Sequence, residues 1–308
     1  MISTLSGRRR TLSPTAFIAG TRCSSTNERL ARAFEENGAY AVVGSAEIAA
    51  AQACPGDLVV GRLDVRPTLD GIQSGLGRLL HLRERGIRVV NGADVLIATH
   101  DKLVTARLLS AASIPQPRWA AVTDAEAWPD FAPPYVVKPR FGSWGRDVFR
   151  CETHAELRAC LRRLRLRPWF ARHGALVQEL IKPQGFDLRL VVSAGRVVGA
   201  VERVAAPGEW RTNIALGGSR RPTTPGPDTC LLATAAAAAV GGELVGVDLV
   251  PDTRGWRVIE INGAVDFADE YALDERDVFC RAVEPFVLGG ARAGADTVLP
   301  SPASAVSA

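Results

Sequence analysis

The spacing of apolar residues changes several times along the 308-residue chain, and each change marks a different kind of element. From Thr15 to Val90, short apolar runs (Ala16 to Ala19, Ala39 to Val43, Leu58 to Gly61, Ile87 to Val90) alternate with helical patterns such as Asn27 to Asn37. Strands alternating with helices predict a parallel α/β sheet. A further helix is expected from Asp101 to Ala112, ahead of the turn residues Pro115 and Pro117. Tyr135 to Lys138 and Val148 to Cys151 then read as two strands joined by a glycine-containing loop, followed by a helix from Ala155 to Arg167 and a strand from Ala175 to Glu179. Past Pro183 and Gly185, strands are expected at Asp187 to Val192, Val197 to Arg203, Leu244 to Val250 and Trp256 to Ile261, with an alanine-rich helix from Thr229 to Val240 among them. The expected organisation is a loose N-terminus (1–14), an α/β domain (15–117), a small central α+β lobe (118–183), a sheet-dominated C-terminal lobe (184–289) and a disordered Ala, Ser, Pro and Gly-rich tail (290–308).

Composition narrows the classes. Hydrophobic residues make up 47% of the chain but never run together for the roughly 18 positions that a membrane helix needs. Arg8, Arg9 and Arg10 are followed by Pro14 and polar residues rather than a signal-peptide apolar segment, so a cytoplasmic protein is expected. Six cysteines (Cys23, Cys54, Cys151, Cys160, Cys230 and Cys280) show no C-x-x-C spacing, which points to reduced, mostly buried thiols. A net charge of +4 does not demand nucleic acid. Lysine usage is more telling, since only Lys102, Lys138 and Lys182 among 37 basic residues are lysine. Where a compact ammonium persists in an arginine-rich chain, its chemistry is a candidate reason.

Glu260-Ile261-Asn262 closes an apolar strand, and its two-residue spacing puts a carboxylate and an amide oxygen on one face. A three-residue hairpin loop of Thr253, Arg254 and Gly255 would set Asp248 opposite Glu260. Two carboxylates and an amide form a hard-oxygen set suited to magnesium, with manganese as a substitute. The plain alternative is a solvated sheet surface, which the apolar surroundings of Asp248 argue against.

Val136-Val137-Lys138-Pro139 ends a strand in lysine, and the loop from Phe141 to Arg146 can bring backbone N–H groups and the Ser143 hydroxyl onto a phosphate. It lacks the G-K-[ST] of a Walker A loop. Lys102, at a helix start, could reach the same phosphates from the opposite side. Gln178, Glu179, Leu180 and Ile181 offer alternating polar and apolar groups to an adenine edge, with Asp187 placed for ribose hydroxyls or simply lying at the surface. Arg189, Arg203 and Arg211, with Asn213 nearby, imply an anion among them, either a substrate carboxylate or a transferring phosphoryl group.

In their order and spacing, Asp101-Lys102, Val137-Lys138-Pro139, Gly142 to Arg146, Gln178-Glu179, Asp187-Leu188-Arg189, Arg211-Thr212-Asn213, Gly246-Val247-Asp248 and Glu260-Ile261-Asn262 resemble the ATP-grasp superfamily. The similarity is greatest to its RimK and LysX branch, ligases that add glutamate to a ribosomal protein or couple an amino acid to a small acidic carrier protein. This resemblance covers about Asn91 to Gly290. It implies an ATP-grasp fold of mixed α/β and α+β class, with an N-terminal parallel α/β domain, a central α+β lobe and a C-terminal antiparallel-sheet lobe. It also implies ATP phosphates on Lys102 and Lys138, adenosine on Gln178 to Ile181 and Asp187, and magnesium on Asp248, Glu260 and Asn262. Arg189, Arg203, Arg211 and Asn213 would surround the reacting groups. The implied reaction joins a carboxylate to an amine through an acyl phosphate, releasing ADP. The expected partners are a small-molecule amino acid and carboxylate substrate, or a small acidic carrier protein, with no nucleic acid and no membrane, and the chain is expected to form a homo-oligomer. After Asn262 the chain reads Gly263-Ala264-Val265-Asp266-Phe267, a departure from those ligases on the substrate side. Two rivals remain, a nucleic-acid binder using Arg158, Arg162, Arg163, Arg165 and Arg167 and a catalytically silent ATP-binding module.

Overall fold

The strands between Thr15 and Val90 pair as their alternating pattern demands. The computed structural model describes residues 14–20, 24–123 and 128–288; the expected loose N-terminus (bar Pro14), the expected tail and Cys23 lie outside them. Its elements begin with β1 (Thr15–Gly20), α1 (Ser25–Glu36), β2 (Tyr40–Gly44), α2 (Ala46–Gln52), β3 (Leu58–Arg62), α3 (Leu76–Glu84), β4 (Arg88–Val90), α4 (Ala93–His100) and α5 (Lys102–Ala111). The four strands form a parallel sheet in the order β2-β1-β3-β4. Side chains alternate between its faces: Phe17, Ala19 and Val59 pack with Leu79, Leu82 and Leu96, whereas Ala16, Ile18 and Val60 pack with Leu30 and Phe34.

A second sheet follows, built from β5 (Trp119–Val122), β6 (Tyr135–Pro139), β7 (Phe149–Cys151) and β8 (Ala175–Glu179) in the antiparallel order β5-β8-β6-β7. Helices α6 (His154–Leu164) and α7 (Pro168–His173) cover it through Leu157, Leu161, Trp169 and Phe170. The single helix expected from Ala155 to Arg167 is a correction. Pro168 opens a new helix, and the residue before a proline is pushed out of helical geometry, as the extended Arg167 shows.

The third sheet orders β11-β10-β9-β12-β13, all antiparallel. These are β9 (Phe186–Ser193), β10 (Arg196–Val204), β11 (Ser219–Pro222), β12 (Leu244–Asp252) and β13 (Gly255–Asn262), with α8 (Pro227–Ala239) between β11 and β12 and α9 (Val278–Leu288) at the end. Alanine at positions 233, 236 and 237 lets α8 lie close on Leu188, Leu190, Val247, Leu249 and Ile261. The opposite face is polar near the centre of the sheet, and that face carries the site.

Several side chains tie the sheets together. Buried Asn91 donates to the carbonyls of Leu244 (2.5 Å) and Gly263 (2.9 Å) and accepts from the N–H of Leu244 (3.3 Å), linking the end of β4 to the start of β12. Asp101 caps α5 and also takes both Nε (3.0 Å) and Nη2 of Arg140, which joins α5 to the loop after β6. Helix α9 inserts Phe279, Val283 and Phe286 between α1 and the third sheet. Of the five described cysteines all are free, but only Cys151 and Cys160 are buried, fewer than expected. Among the described residues no helix is long and apolar enough to cross a membrane.

Gly61 in β3 runs so close to the next connection that a Cβ there would meet the Asn91 carbonyl oxygen at 2.2 Å. Backbone cannot yield as a flexible side chain can. Gly61→Ala is therefore expected to lower the unfolding free energy by about 3 kcal/mol in urea titrations. Gly77→Ala on α3, where no atom lies within 4 Å, is expected to raise it by about 0.5 to 1 kcal/mol.

Candidate active site

The polar face of the third sheet is laid out by register. Asp248 on β12 pairs with Arg189 on β9 and with Glu260 on β13, while Arg203 on β10 pairs with Asp187 on β9. The opposition of Asp248 and Glu260 is as expected, but the route to it differs. The strands are joined by a two-residue turn, Thr253-Arg254, and the pairing skips Ile259, so that a bulge restores the register that a three-residue loop would have given.

Asp248 is 1% exposed. Arg189 holds it bidentately, Nε to Oδ1 and Nη2 to Oδ2 at 2.7 Å each, and Arg203 Nη2 adds a bond of 2.8 Å to Oδ2. Burial alone would push this carboxyl up, but the two guanidinium groups outweigh it and hold the pKa down at about 2. Arg203 is itself held by Asp187, with bonds of 2.8 and 2.5 Å, and Thr212 Oγ1 donates to the same carboxylate at 2.5 Å. Asp187, expected for ribose, is thus committed to Arg203 and Thr212. The carboxylates that were expected to need a metal between them are each balanced by cations of the chain.

Glu260 faces the other way, to Lys102 Nζ at 2.9 Å. Burial pushes its pKa up, and Lys102 more than reverses this and lowers it. Lys102 Nζ also donates to the Gly142 carbonyl at 2.6 Å, touching the glycine loop between β6 and β7. Lys138, at the end of β6, has no carboxylate at bonding distance; burial brings its pKa down to about 8, with Glu260 opposing and Lys102 adding to the fall. Arg211 is clasped by Glu209, Nη2 to Oε2 at 2.7 Å, and donates from Nη1 to the Gly145 carbonyl at 3.0 Å. That pulls the loop onto the third sheet, and Gly145 permits the approach, since a Cβ there would stand 2.6 Å from Asn213 Oδ1.

Between these groups opens a cleft with about 1020 Å³ of empty space, counting the part continuous with solvent. Lys102, Lys138, Ser143 and Asp187 line it, as do the four consecutive residues Gln178, Glu179, Leu180 and Ile181. Arg203, Arg211, Asn213, Asp248 and Glu260 also reach it, whereas Arg189 is engaged beneath Asp248 and Asn262 lies two residues beyond Glu260 on the same strand face. Glu179 is turned to the rim, where Arg118 Nε meets it at 3.2 Å. Apolar walls come from Val136, Val148, Val250 and Ile259, with Trp210 beside them. Val148, Val250 and Ile259 carry no sequence signal of this role, because nothing in their types separates them from core residues.

Two polar atoms here are buried without a partner, Ser143 Oγ and Asn262 Nδ2. Among the described residues no three or more His, Cys, Asp or Glu side chains group as a metal site. A cation at this place would instead rest on Asp248, Glu260 and the Asn262 amide, all hard donors that suit magnesium once phosphate oxygens complete the shell. The five arginines of the rival reading, Arg158, Arg162, Arg163, Arg165 and Arg167, are exposed on and just past α6, and none lines the cleft. The guanidinium of Arg158 stacks on Trp128 at 4.9 Å, and Arg167 lies 3.8 Å from Asp147.

Residues 99–272 match the family described as RimK-like ATP-grasp domain. The chain is 31% identical over 214 residues to a probable alpha-L-glutamate ligase of Shewanella pealeana; the match covers 68% of this chain and 45% of that protein, so the chain spans less than half of that relative's length. It is 31% identical over 255 residues to the Glutamate–LysW ligase ArgX of Sulfurisphaera tokodaii, covering 77% of this chain and 86% of that one. Among solved structures, the ATP-grasp ligase PsnB complexed with minimal precursor, Mg and ADP shares the fold, with a TM-score of 0.66 and 18% identity over 91% of this chain and 99% of that one.

Asp248→Asn leaves the guanidinium of Arg189 without its carboxylate and that of Arg203 with Asp187 alone, and is expected to lower the unfolding free energy by about 3 to 5 kcal/mol in urea. The pH profile checks the cause. A carboxyl held at about 2 against an ordinary value of 3.8 contributes stability above 3.8 that fades as pH falls toward 2. Asp248→Asn should remove that part of the acid limb.

Proposed function

The chain belongs to the RimK-like ATP-grasp ligase family, and from that membership and the geometry of its cleft we propose that it is an ATP- and magnesium-dependent, ADP-forming ligase that joins the amine of L-glutamate to a carboxylate. The observation that carries the reading is one cleft with Lys102, Lys138 and the unpartnered Ser143 hydroxyl on one side and the opposed Asp248 and Glu260 on the other. Glutamate is named because both glutamate ligases above take it by name. The acceptor is a glutamate-type carboxylate on a small molecule or a small acidic carrier protein, and a reaction that consumes ATP fits the cytoplasm.

In this mechanism the adenine lies against the backbone of Gln178 to Ile181 and the apolar walls, and Lys102, Lys138 and Ser143 hold the phosphates. Asp248, Glu260 and Asn262 would hold magnesium, or manganese in its place, and the metal would supply positive charge against the phosphate oxygens. The acceptor carboxylate oxygen attacks the γ-phosphorus, and the bond to the β-phosphate oxygen breaks, giving acyl phosphate and ADP. Arg203, Arg211 and Asn213 face the charge that develops on the transferring group. The glutamate nitrogen, having lost a proton to solvent, attacks the acyl carbon, and the tetrahedral intermediate expels phosphate. Arg189 acts at one remove, by fixing Asp248.

ADP release should require both glutamate and an acceptor, with mass spectrometry showing addition of glutamyl units. ADP formed with no acceptor and no glutamate dependence would overturn the reading. Arg211→Met is expected to lower kcat by about 100-fold or more while the Kd for ATP stays within about threefold. Lys138 gives a pH test. Its pKa of about 8 lies below the ordinary 10.5, so the free protein loses this ammonium as pH rises through 8. Phosphate favours the charged form, and ATP affinity should therefore fall by up to about tenfold per pH unit above 8. Calorimetric titrations from pH 7 to 10 should show this fall in the wild type and its absence in Lys138→Arg.

A further inference from the structure

On the side of Lys102 and Glu260 that faces the parallel sheet lies a second set of polar groups that the reaction above leaves unused. Arg62, the last residue of β3, is only 4% exposed. Its Nε donates to Asn27 Oδ1, and its Nη2 to the Val265 carbonyl (2.9 Å) and Asp266 Oδ1 (3.3 Å), but its Nη1 is buried with no partner. His100, the last residue of α4 and 7% exposed, has an equally unpartnered Nε2. Burial, with Lys102 adding, pushes the His100 pKa down to about 4, so the ring is neutral. Charges on Lys102, Glu260 and Arg62 all act on His100, and those of Asp266, Arg62 and Lys102 act on Asp64, which places these groups in one neighbourhood.

A buried polar atom left unpaired costs about 1 to 3 kcal/mol, and native interiors pair nearly all of them. Two such atoms on different elements, Arg62 Nη1 at the carboxyl end of a parallel strand, where open α/β sheets bind ligands, and His100 Nε2 within reach of the Arg62 charge, indicate a ligand. A guanidinium nitrogen only donates, and its natural partner is a carboxylate. Arg62 does not line the nucleotide cleft, whereas its neighbours Lys102 and Glu260 do. A carboxylate at Arg62 is therefore beside the reacting group without being it. The Asp266 side chain is 41% exposed, which gives the set an opening to solvent, and with Asp64 it offers negative charge to an ammonium.

We infer that Arg62 binds a substrate carboxylate that is not phosphorylated, the α-carboxylate of the glutamate being its source in the reaction proposed above, with the neutral His100 nearby. This inference rests on that ligase reading for its ligand class. It makes Arg62 a specificity-determining residue and leaves ATP binding to other groups.

The test titrates the full chain, loaded with ADP and magnesium, with L-glutamate, with L-isoglutamine (α-carboxylate replaced by amide) and with N-acetyl-L-glutamate (amine blocked). Arg62→Met should weaken L-glutamate at least 30-fold while ADP affinity stays within twofold. Isoglutamine should bind the wild type far more weakly than glutamate does, a comparison that needs only the unaltered protein and reads the site even where a variant fails to fold; a folded Arg62→Met should bind isoglutamine equally weakly. Arg62→Lys, which keeps a charge, should recover part of the glutamate affinity. A 30-fold loss for N-acetyl-L-glutamate instead would support the site and assign the carboxylate to the acyl partner. Glutamate binding within threefold of wild type in Arg62→Met, or isoglutamine bound as tightly as glutamate, would overturn the inference. So would a wild type that binds ADP but neither acid, an outcome that leaves the ligase reading to stand on ADP release, whereas failure to bind ADP removes that reading itself.

Discussion

A carboxylate taken out of water and clamped between two guanidinium groups governs the arrangement of the cleft. Asp248 lies in the middle of the third sheet, where an isolated charge would be untenable, and Arg189 and Arg203 supply its compensation. Arg203 carries a second carboxylate, Asp187, so two acids and two arginines from three strands form one network. Such a network has little freedom to slip. A one-residue shift of β9 against β12 would turn Arg189 into the apolar face beneath α8 and leave Asp248 uncompensated.

The remaining charges divide by lobe. Glu260, on the neighbouring strand, is left for Lys102 from α5, and Lys138 from the second sheet has no carboxylate of its own. Lys102, Lys138, Lys182 and Arg203 line the cleft together with Asp187, Asp248 and Glu260, Arg189 adds its charge from outside the lining through Asp248, Arg211 is neutralised locally by Glu209, and Glu179 is met by Arg118. The excess is positive and sits where the walls are partly apolar, so an anion such as a polyphosphate is drawn to it. The glycine loop is tied down by the same cations, through Lys102 to Gly142 and Arg211 to Gly145.

The far side of Lys102 completes the picture. Family membership and the cleft account for a nucleotide and a reacting carboxylate, but not for a buried arginine nitrogen and a buried imidazole nitrogen left without partners. Their location at the carboxyl edge of the first sheet gives the N-terminal unit a chemical part to play beside its structural one. Asn91, Asp101 and α9 hold that edge against the other two sheets, so a substrate lying there is presented to the cleft at a fixed distance.

Much of this was legible in the chain. Apolar runs of strand length, most of them buried along their whole extent, gave β1, β3, β6, β8, β9, β10, β12 and β13 close to their observed bounds. The pairing of Asp248 with Glu260 was also expected, from a three-residue loop, and the structure reaches it by a two-residue turn and a bulge at Ile259. Elements without an amphipathic signature escaped: α4 is buried on most sides, α2 is one short stretch of small residues, and the edge strand β11 reads Ser-Arg-Arg-Pro with no apolar position to betray it. The family-wide candidate residues declared themselves by type and order, since lysine in an arginine-rich chain and carboxylates inside apolar strands are both chemically unusual. What sequence could not decide was which cation answers which carboxylate, that a bulge at Ile259 rather than a longer loop sets the hairpin, or that Arg62 and His100 converge beside Lys102. Those depend on distances between elements far apart in the chain, and only packing of the three sheets fixes them.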